Sequence, residues 1–193
     1  MELAGVEVTD RGYIKVSERL QTTAPRIWAI GEVAGSPQFT HISVDDFRVV
    51  HANLGGGNRV TTGRQVPYCL FTDPELARIG LSETEAQAQR IPYRLFKVAM
   101  EANLRARTLS ETQGFLKALV EAKSDHILGF TALSVGAGEI MAAVQIAMIG
   151  ELPYTALRDA VLTHPTLVEG LIPLFSSVPS IHNVVAEAST TAA

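Results

Sequence analysis

Residues 114–133 constrain the fold more than any other stretch. Gly114 to Glu121 and His126 to Leu133 each alternate between apolar and polar positions, and Ala122-Lys123-Ser124-Asp125 separates them. Alternation at period two is the mark of a strand with two unlike faces, and a short polar turn between two such runs makes them antiparallel neighbours. Three further runs have strand character: Val66 to Phe71, Glu75 to Gly80 and Tyr93 to Met100. Between the last two, Ser82-Glu83-Thr84-Glu85 has the capping-box spacing that opens a short helix, here to about Gln89. Asn103 to Ser110 is polar with two arginines. Residues 66–133 therefore read as an antiparallel sheet with one helix, the α+β pattern.

A second constraint follows directly. Glu139 to Ile149 reads as a helix ended by Gly150, and its polar positions are only Glu139 and Gln145. A helix that is apolar nearly all round needs cover on more than one side. The sheet supplies one side. A second copy of the chain is the expected cover for the other, because a two-fold interface brings the same helix against itself. Ile127 to Ile149 is long enough to suggest a membrane span, but Glu139 sits within it and Ser134, Gly136 and Gly138 break it, so no span is expected. Helices are also expected over Thr155 to Leu162 and Thr166 to Leu174.

The first 57 residues have a different texture. Tyr13 to Val16 alternates after an Asp10-Arg11-Gly12 turn, and Arg26 to Gly31 is a short apolar run suited to a buried strand. A glycine-bracketed loop, Gly31-Glu32-Val33-Ala34-Gly35-Ser36-Pro37, leads to a helix from about Phe39 to Leu54, stopped by Gly55-Gly56-Gly57. Asp45-Asp46 read as early-turn charges that suit the helix dipole. The division expected is 1–57, a linker at 58–66, a second domain at 67–181 and a flexible tail at 182–193 with little to pack.

Composition removes several classes of function. Hydrophobic residues make up 47% and charged residues 19%, a globular balance. A net charge of -4 with no basic run leaves no footprint for nucleic acid. The start, MELAGVEV, lacks the basic and apolar regions of a signal peptide, which with the absent span implies a cytoplasmic protein. Cys69 is the single cysteine, so neither a disulfide framework nor a dithiol centre can form within the chain, and its apolar surroundings suit an inert thiol. His41 and His51 are ten apart and His126 and His182 stand alone, so no metal site is expected. No Gly-x-Ser-x-Gly is present, which removes the usual hydrolase elbow.

One stretch keeps chemical promise: Leu162-Thr163-His164-Pro165-Thr166-Leu167-Val168-Glu169. Histidine exchanges protons near neutral pH, and a carboxylate that accepts from its ring fixes the tautomer. Pro165 keeps His164 out of the helix that follows. Thr166-x-x-Glu169 also fits a capping box, in which Glu169 closes a helix turn and His164 is an ordinary loop histidine. The residues allow both readings.

Four blocks in order resemble the FAD-dependent pyridine nucleotide–disulfide oxidoreductases, the family of dihydrolipoamide dehydrogenase and mercuric reductase. Thr22 to Val33 resembles their second flavin motif, and Pro67-Tyr68-Cys69-Leu70-Phe71-Thr72-Asp73-Pro74-Glu75 the first strand of their dimerisation domain. Ile127-Leu128-Gly129 through Gly138-Glu139 resembles its hairpin and interface helix, and His164-Pro165-Thr166-x-x-Glu169 the C-terminal catalytic motif. Gly35 to His41 followed by Asp45-Asp46-Phe47-Arg48 is most similar to the mercuric-reductase-like and reactive-chlorine-resistance branch.

The resemblance implies that residues 1–57 are the C-terminal part of an FAD-binding domain and 67–181 a dimerisation domain: an antiparallel sheet with flanking helices. It implies that His164 is the acid/base for a dithiol of the partner subunit, that Glu169 orients it, and that the His164–Pro165 bond is cis. For FAD it implies Gly31 and Glu32 at the ribityl chain, where relatives carry aspartate. Backbone N–H groups of Gln38, Phe39 and Thr40 would meet the flavin's pyrimidine edge, with a lesser role for His41. FAD and NAD(P)H are the cofactors implied for the complete enzyme. The chain alone, with no Gly-x-Gly-x-x-Gly and no cysteine pair, is expected to bind neither tightly. The alternative is a dimerisation module that has lost its FAD and NAD(P) domains and its chemistry.

Overall fold

The computed structural model describes residues 2–183. The chain divides into two compact units, Met1–Val66 and Pro67–Ala193.

The first unit is built on one long helix, α1 (Thr40–Leu54). Before it, the expected strands do not form. Tyr13 to Val16 and Arg26 to Gly31 take part only in isolated bridges, Val8 with Ile14, Val16 with Thr22 and Gln21 with Trp28. Leu20 and Arg26 both sit at φ 63°, and a residue in the left-handed region breaks an extended run. A short 3-10 turn over Gly31–Ala34 carries the chain toward α1.

Asp45 and Asp46 lie beyond the first turn of α1, where no acidic residue stands, so the reading of them as dipole charges is corrected. Asp46 is fully buried. Its carboxylate accepts the N–H of Gly31 at 2.8 Å and pairs with Arg64, whose guanidinium also reaches Asp45 at 3.4 Å. A buried carboxylate needs such partners to stay charged. Here it ties the Gly31 turn to the segment that leaves the unit.

The second unit is a six-stranded antiparallel sheet: β1 (Tyr68–Leu70), β2 (Glu75–Gly80), β3 (Tyr93–Ala99), β4 (Phe115–Glu121), β5 (Ile127–Ser134) and β6 (Ser180–His182). Their order is β1-β2-β5-β4-β3-β6. The β4–β5 hairpin forms, closed by the N–H of Glu121 on the carbonyl of His126, with one register shift at Leu119/Val120. β6 pairs with β3 through Tyr93 and His182. The expectation that the chain after Ser180 has little to pack is thus corrected for Ser180–His182, whose ladder bonds and stacked Tyr93 and His182 rings fix them. Residues 184–193 of the expected tail lie outside the described residues.

Helices cover the sheet. The capping box at Ser82 and Glu85 opens α2 (Glu83–Ala88), whose Ala86 packs with Tyr93 and Leu119. The polar stretch after β3 holds a further helix, α3 (Leu104–Leu109), capped by Asn103. α4 (Ala137–Ile149) presses Ala137, Ile140, Met141 and Val144 into the main core and also buries Ala147. Its other side leaves Ile146 67% and Ile149 61% exposed.

α5 (Tyr154–Arg158) is shorter than the expected Thr155 to Leu162, and the chain from Ala160 to Leu167 is irregular. The expected helix from Thr166 also starts late: a 3-10 turn over Val168–Gly170 precedes α6 (Leu171–Ser176). Pro173 explains the delay, since a proline fits only the first turn of an α-helix.

Candidate active site

The irregular segment before α6 brings His164 and Glu169 together. The His164–Pro165 peptide is cis, as the resemblance implies. Nδ1 of His164 lies 2.9 Å from Oε1 of Glu169. The other carboxylate oxygen, Oε2, accepts the backbone N–H of Thr166 at 2.6 Å. One carboxylate therefore closes the turn and faces the imidazole. The capping box is only half made, because the Thr166 hydroxyl is buried without a partner.

Exposure separates the two side chains. His164 is 63% exposed, whereas Glu169 is only 20% exposed. The N–H of Thr166, then the His164 ring, hold the Glu169 carboxyl below its ordinary range. Glu169 stays ionised near neutral pH, and an ionised carboxylate can only accept. Neutral His164 then carries its proton on Nδ1, and Nε2 presents a lone pair to whatever approaches the exposed ring.

The segment is anchored from below. Leu167 and Val168 pack against the main core. Gly136, at φ 61°, lies so close to Leu167 that a Cβ there would sit 2.8 Å from its Cδ1. The amide of Asn103 donates to the carbonyl of Leu167 at 2.8 Å.

The residues expected at the flavin lie in the first unit. Gly31 is buried at φ 71°, and a Cβ would meet the Ser43 hydroxyl at 3.0 Å. Glu32, Gln38, Thr40 and His41 are exposed. Phe39 precedes α1 in extended backbone and makes no side-chain cap. The N–H of Phe39 donates to the Pro37 carbonyl at 2.8 Å, so it is engaged internally. Gln38 and Thr40 remain the N–H groups at the helix start suited to an electron-rich ligand edge. The ring of His41 stacks on Phe39 at 5.3 Å.

Cys69, on β1, is half-buried and reduced. Burial, then the charge of Glu75, pushes its thiol up from the ordinary value, the opposite of what a nucleophilic thiol needs. No group of histidine, cysteine and acidic residues among the described residues could hold a metal ion. No helix among them is long and apolar enough to cross a membrane.

Residues 66–173 match the model of the pyridine nucleotide-disulphide oxidoreductase dimerisation domain, and residues 1–46 match a second pyridine nucleotide-disulphide oxidoreductase model. The chain belongs to the pyridine nucleotide-disulphide oxidoreductase family. It is 43% identical over 179 residues to the probable pyridine nucleotide-disulfide oxidoreductase RclA of Escherichia coli K12, covering 92% of this chain and 41% of that protein. It is 36% identical to a dihydrolipoyl dehydrogenase of Thermus scotoductus and 33% identical to the human mitochondrial one, covering 89% and 88% of this chain but 37% and 33% of those proteins. The structure described as the HOCl-induced flavoprotein disulfide reductase RclA superposes with a TM-score of 0.87 at 42% identity, over 91% of this chain and 41% of that one. The chain thus spans about two fifths or less of the length of these relatives, and its larger unit is the family's dimerisation domain.

Sequence reasoning missed two anchoring residues. Asp46 reads from the sequence as an early-turn charge suited to the helix dipole and is a buried anchor. Asn103 sat unremarked in a polar stretch, although an asparagine before an apolar helix position is an N-cap signal.

Proposed function

We propose that this chain completes the active site of a flavin-dependent NAD(P)H:disulfide oxidoreductase, acting as a homodimer in which His164 serves a dithiol on the partner subunit. The carrying observation is the pair itself: an exposed imidazole whose Nδ1 is held at 2.9 Å by a carboxylate that is already pinned to Thr166. Nε2 takes a proton from a thiol, which becomes a thiolate, and returns it to the leaving thiolate in the reverse step. Glu169 holds the Nδ1 proton and favours the imidazolium while the thiolate exists. A thiolate–imidazolium pair supplies a nucleophile near neutral pH.

Bound FAD would carry electrons from NAD(P)H to the disulfide. The residues of the first unit fit its approach: Gly31 leaves room at a tight turn, Glu32 is exposed beside it, and the start of α1 offers the N–H groups of Gln38 and Thr40 with His41 nearby. Glu32 would bind ribityl hydroxyls. The exposed Ile146 and Ile149 of α4 supply the two-fold contact that places His164 beside the other subunit's thiols.

The test is a fusion in which this chain replaces the matching C-terminal part of the E. coli relative. His164→Ala in the fusion should leave reduction of the flavin by NAD(P)H intact and abolish dithiol-dependent turnover. Undiminished disulfide reduction would refute the assignment and favour a dimerisation module without chemistry.

A further inference from the structure

Asn103 is 4% exposed, and it is remote in sequence from the His164 segment. Its side chain makes three bonds. Oδ1 accepts the N–H of Ala106 at 3.1 Å, capping α3. Nδ2 donates to the carbonyl of Leu167 at 2.8 Å and, more weakly, to that of Thr166 at 3.4 Å. Those bonds cross 64 and 63 residues of chain. They fall on the residue whose N–H Glu169 grips and on the one after it.

The packing around this amide has no slack. A Cβ on Gly170 would lie 2.9 Å from Nδ2 of Asn103 and 2.8 Å from Cδ1 of Leu116. A side chain at Gly170 would therefore press on the amide and on Leu116. Asn103, Thr166, Glu169 and His164 form one chain of contacts, buried at one end and exposed at the other.

We infer that Asn103 is a positioning residue for the acid/base pair: it fixes the Thr166–Leu167 backbone, which fixes the Glu169 carboxylate, which sets the ring and tautomer of His164. The inference rests on the reading of His164 as the acid/base only for its effect on turnover. The geometric part stands on the buried amide alone. A cap for α3 and a clamp for the active-site turn are separable, because the cap uses the oxygen and the clamp uses the nitrogen.

Asn103→Ser separates them. Serine is an equally good N-cap but is too short to reach the carbonyls. Asn103→Asp does the same by another route, keeping an acceptor for Ala106 while offering no donor when ionised. In the chain itself, nitrogen-15 NMR reads the His164 tautomer and carbon-13 NMR reads the Glu169 carboxyl. With either variant folded by circular dichroism, the Glu169 titration should move up toward the ordinary carboxylate range and the single Nδ1–H tautomer should give way to a mixture. In the fusion, kcat for disulfide reduction should fall on the order of tenfold to a hundredfold, as misplaced catalytic groups do, with flavin reduction by NAD(P)H unchanged. Wild-type titration and tautomer in a folded variant would overturn the inference and leave Asn103 as a helix cap. If instead the NMR signatures shift while His164→Ala keeps full turnover, the positioning role holds and the acid/base reading falls.

Discussion

Glu169 faces His164 at 2.9 Å with one carboxylate oxygen while the other grips the N–H of Thr166 at 2.6 Å, so the group that orients the imidazole is itself held by the backbone. Turn closure and imidazole contact use different oxygens of one carboxylate, so the two are compatible.

The linkage gives a signed pH dependence. The Glu169 carboxyl is depressed, first by the Thr166 N–H and then by His164. A depressed carboxyl contributes stability that is present above its unfolded value, about 4.3, and is lost as pH falls through the lower folded value. Thermal unfolding of Glu169→Gln should therefore fall below wild type at pH 7 and converge on it in strong acid. A constant difference across that range would contradict the linkage.

Asp46 and Arg64 should be strongly coupled. Asp46 is fully buried, and Arg64 is only 15% exposed. Arg64→Met leaves a buried carboxylate with the Gly31 N–H alone, and removing one member of a buried pair costs about 3–5 kcal/mol. The double variant Asp46→Asn/Arg64→Met should recover part of that loss. Urea unfolding of the wild type, Arg64→Met, Asp46→Asn and the double variant measures the coupling.

The exposed side of α4 should govern assembly. Ile146→Glu or Ile149→Glu places a charge on the face at 67% or 61% exposure and leaves the buried side of the helix untouched. Sedimentation should show a monomer whose circular dichroism matches wild type. A persistent dimer would move the interface elsewhere.

Cys69 should alkylate slowly, and Glu75 is part of the reason. Burial raises its thiol first, and the Glu75 carboxylate raises it further. Glu75→Gln should speed reaction with iodoacetamide several-fold at mildly alkaline pH, because the thiolate is the reactive form. An unchanged rate would assign the shift to burial alone.

Much of the second unit could be read from the chain because its signals are local. Alternation marked β4 and β5, Ser82 and Glu85 marked the start of α2, and Gly150 marked the end of α4. Failures occurred where distant groups decide. Leu20 and Arg26 adopt left-handed backbone that no apolar pattern announces. Pro173 shortened the helix expected from Thr166. β6 exists because Tyr93 and His182 meet across the sheet. At the candidate site, the spacing of His164 and Glu169 left the acid/base and capping-box readings open, and the resemblance to the family favoured the first. Asp46 and Asn103 were not, since their partners Arg64, Gly31, Thr166 and Leu167 are neighbours only after folding.

The most direct measurement is stopped-flow kinetics of the fusion carrying His164→Ala. If His164 is the proton carrier, NAD(P)H should reduce the flavin at the wild-type rate, and steady-state disulfide reduction should fall to background. Wild-type rates in both phases would contradict it.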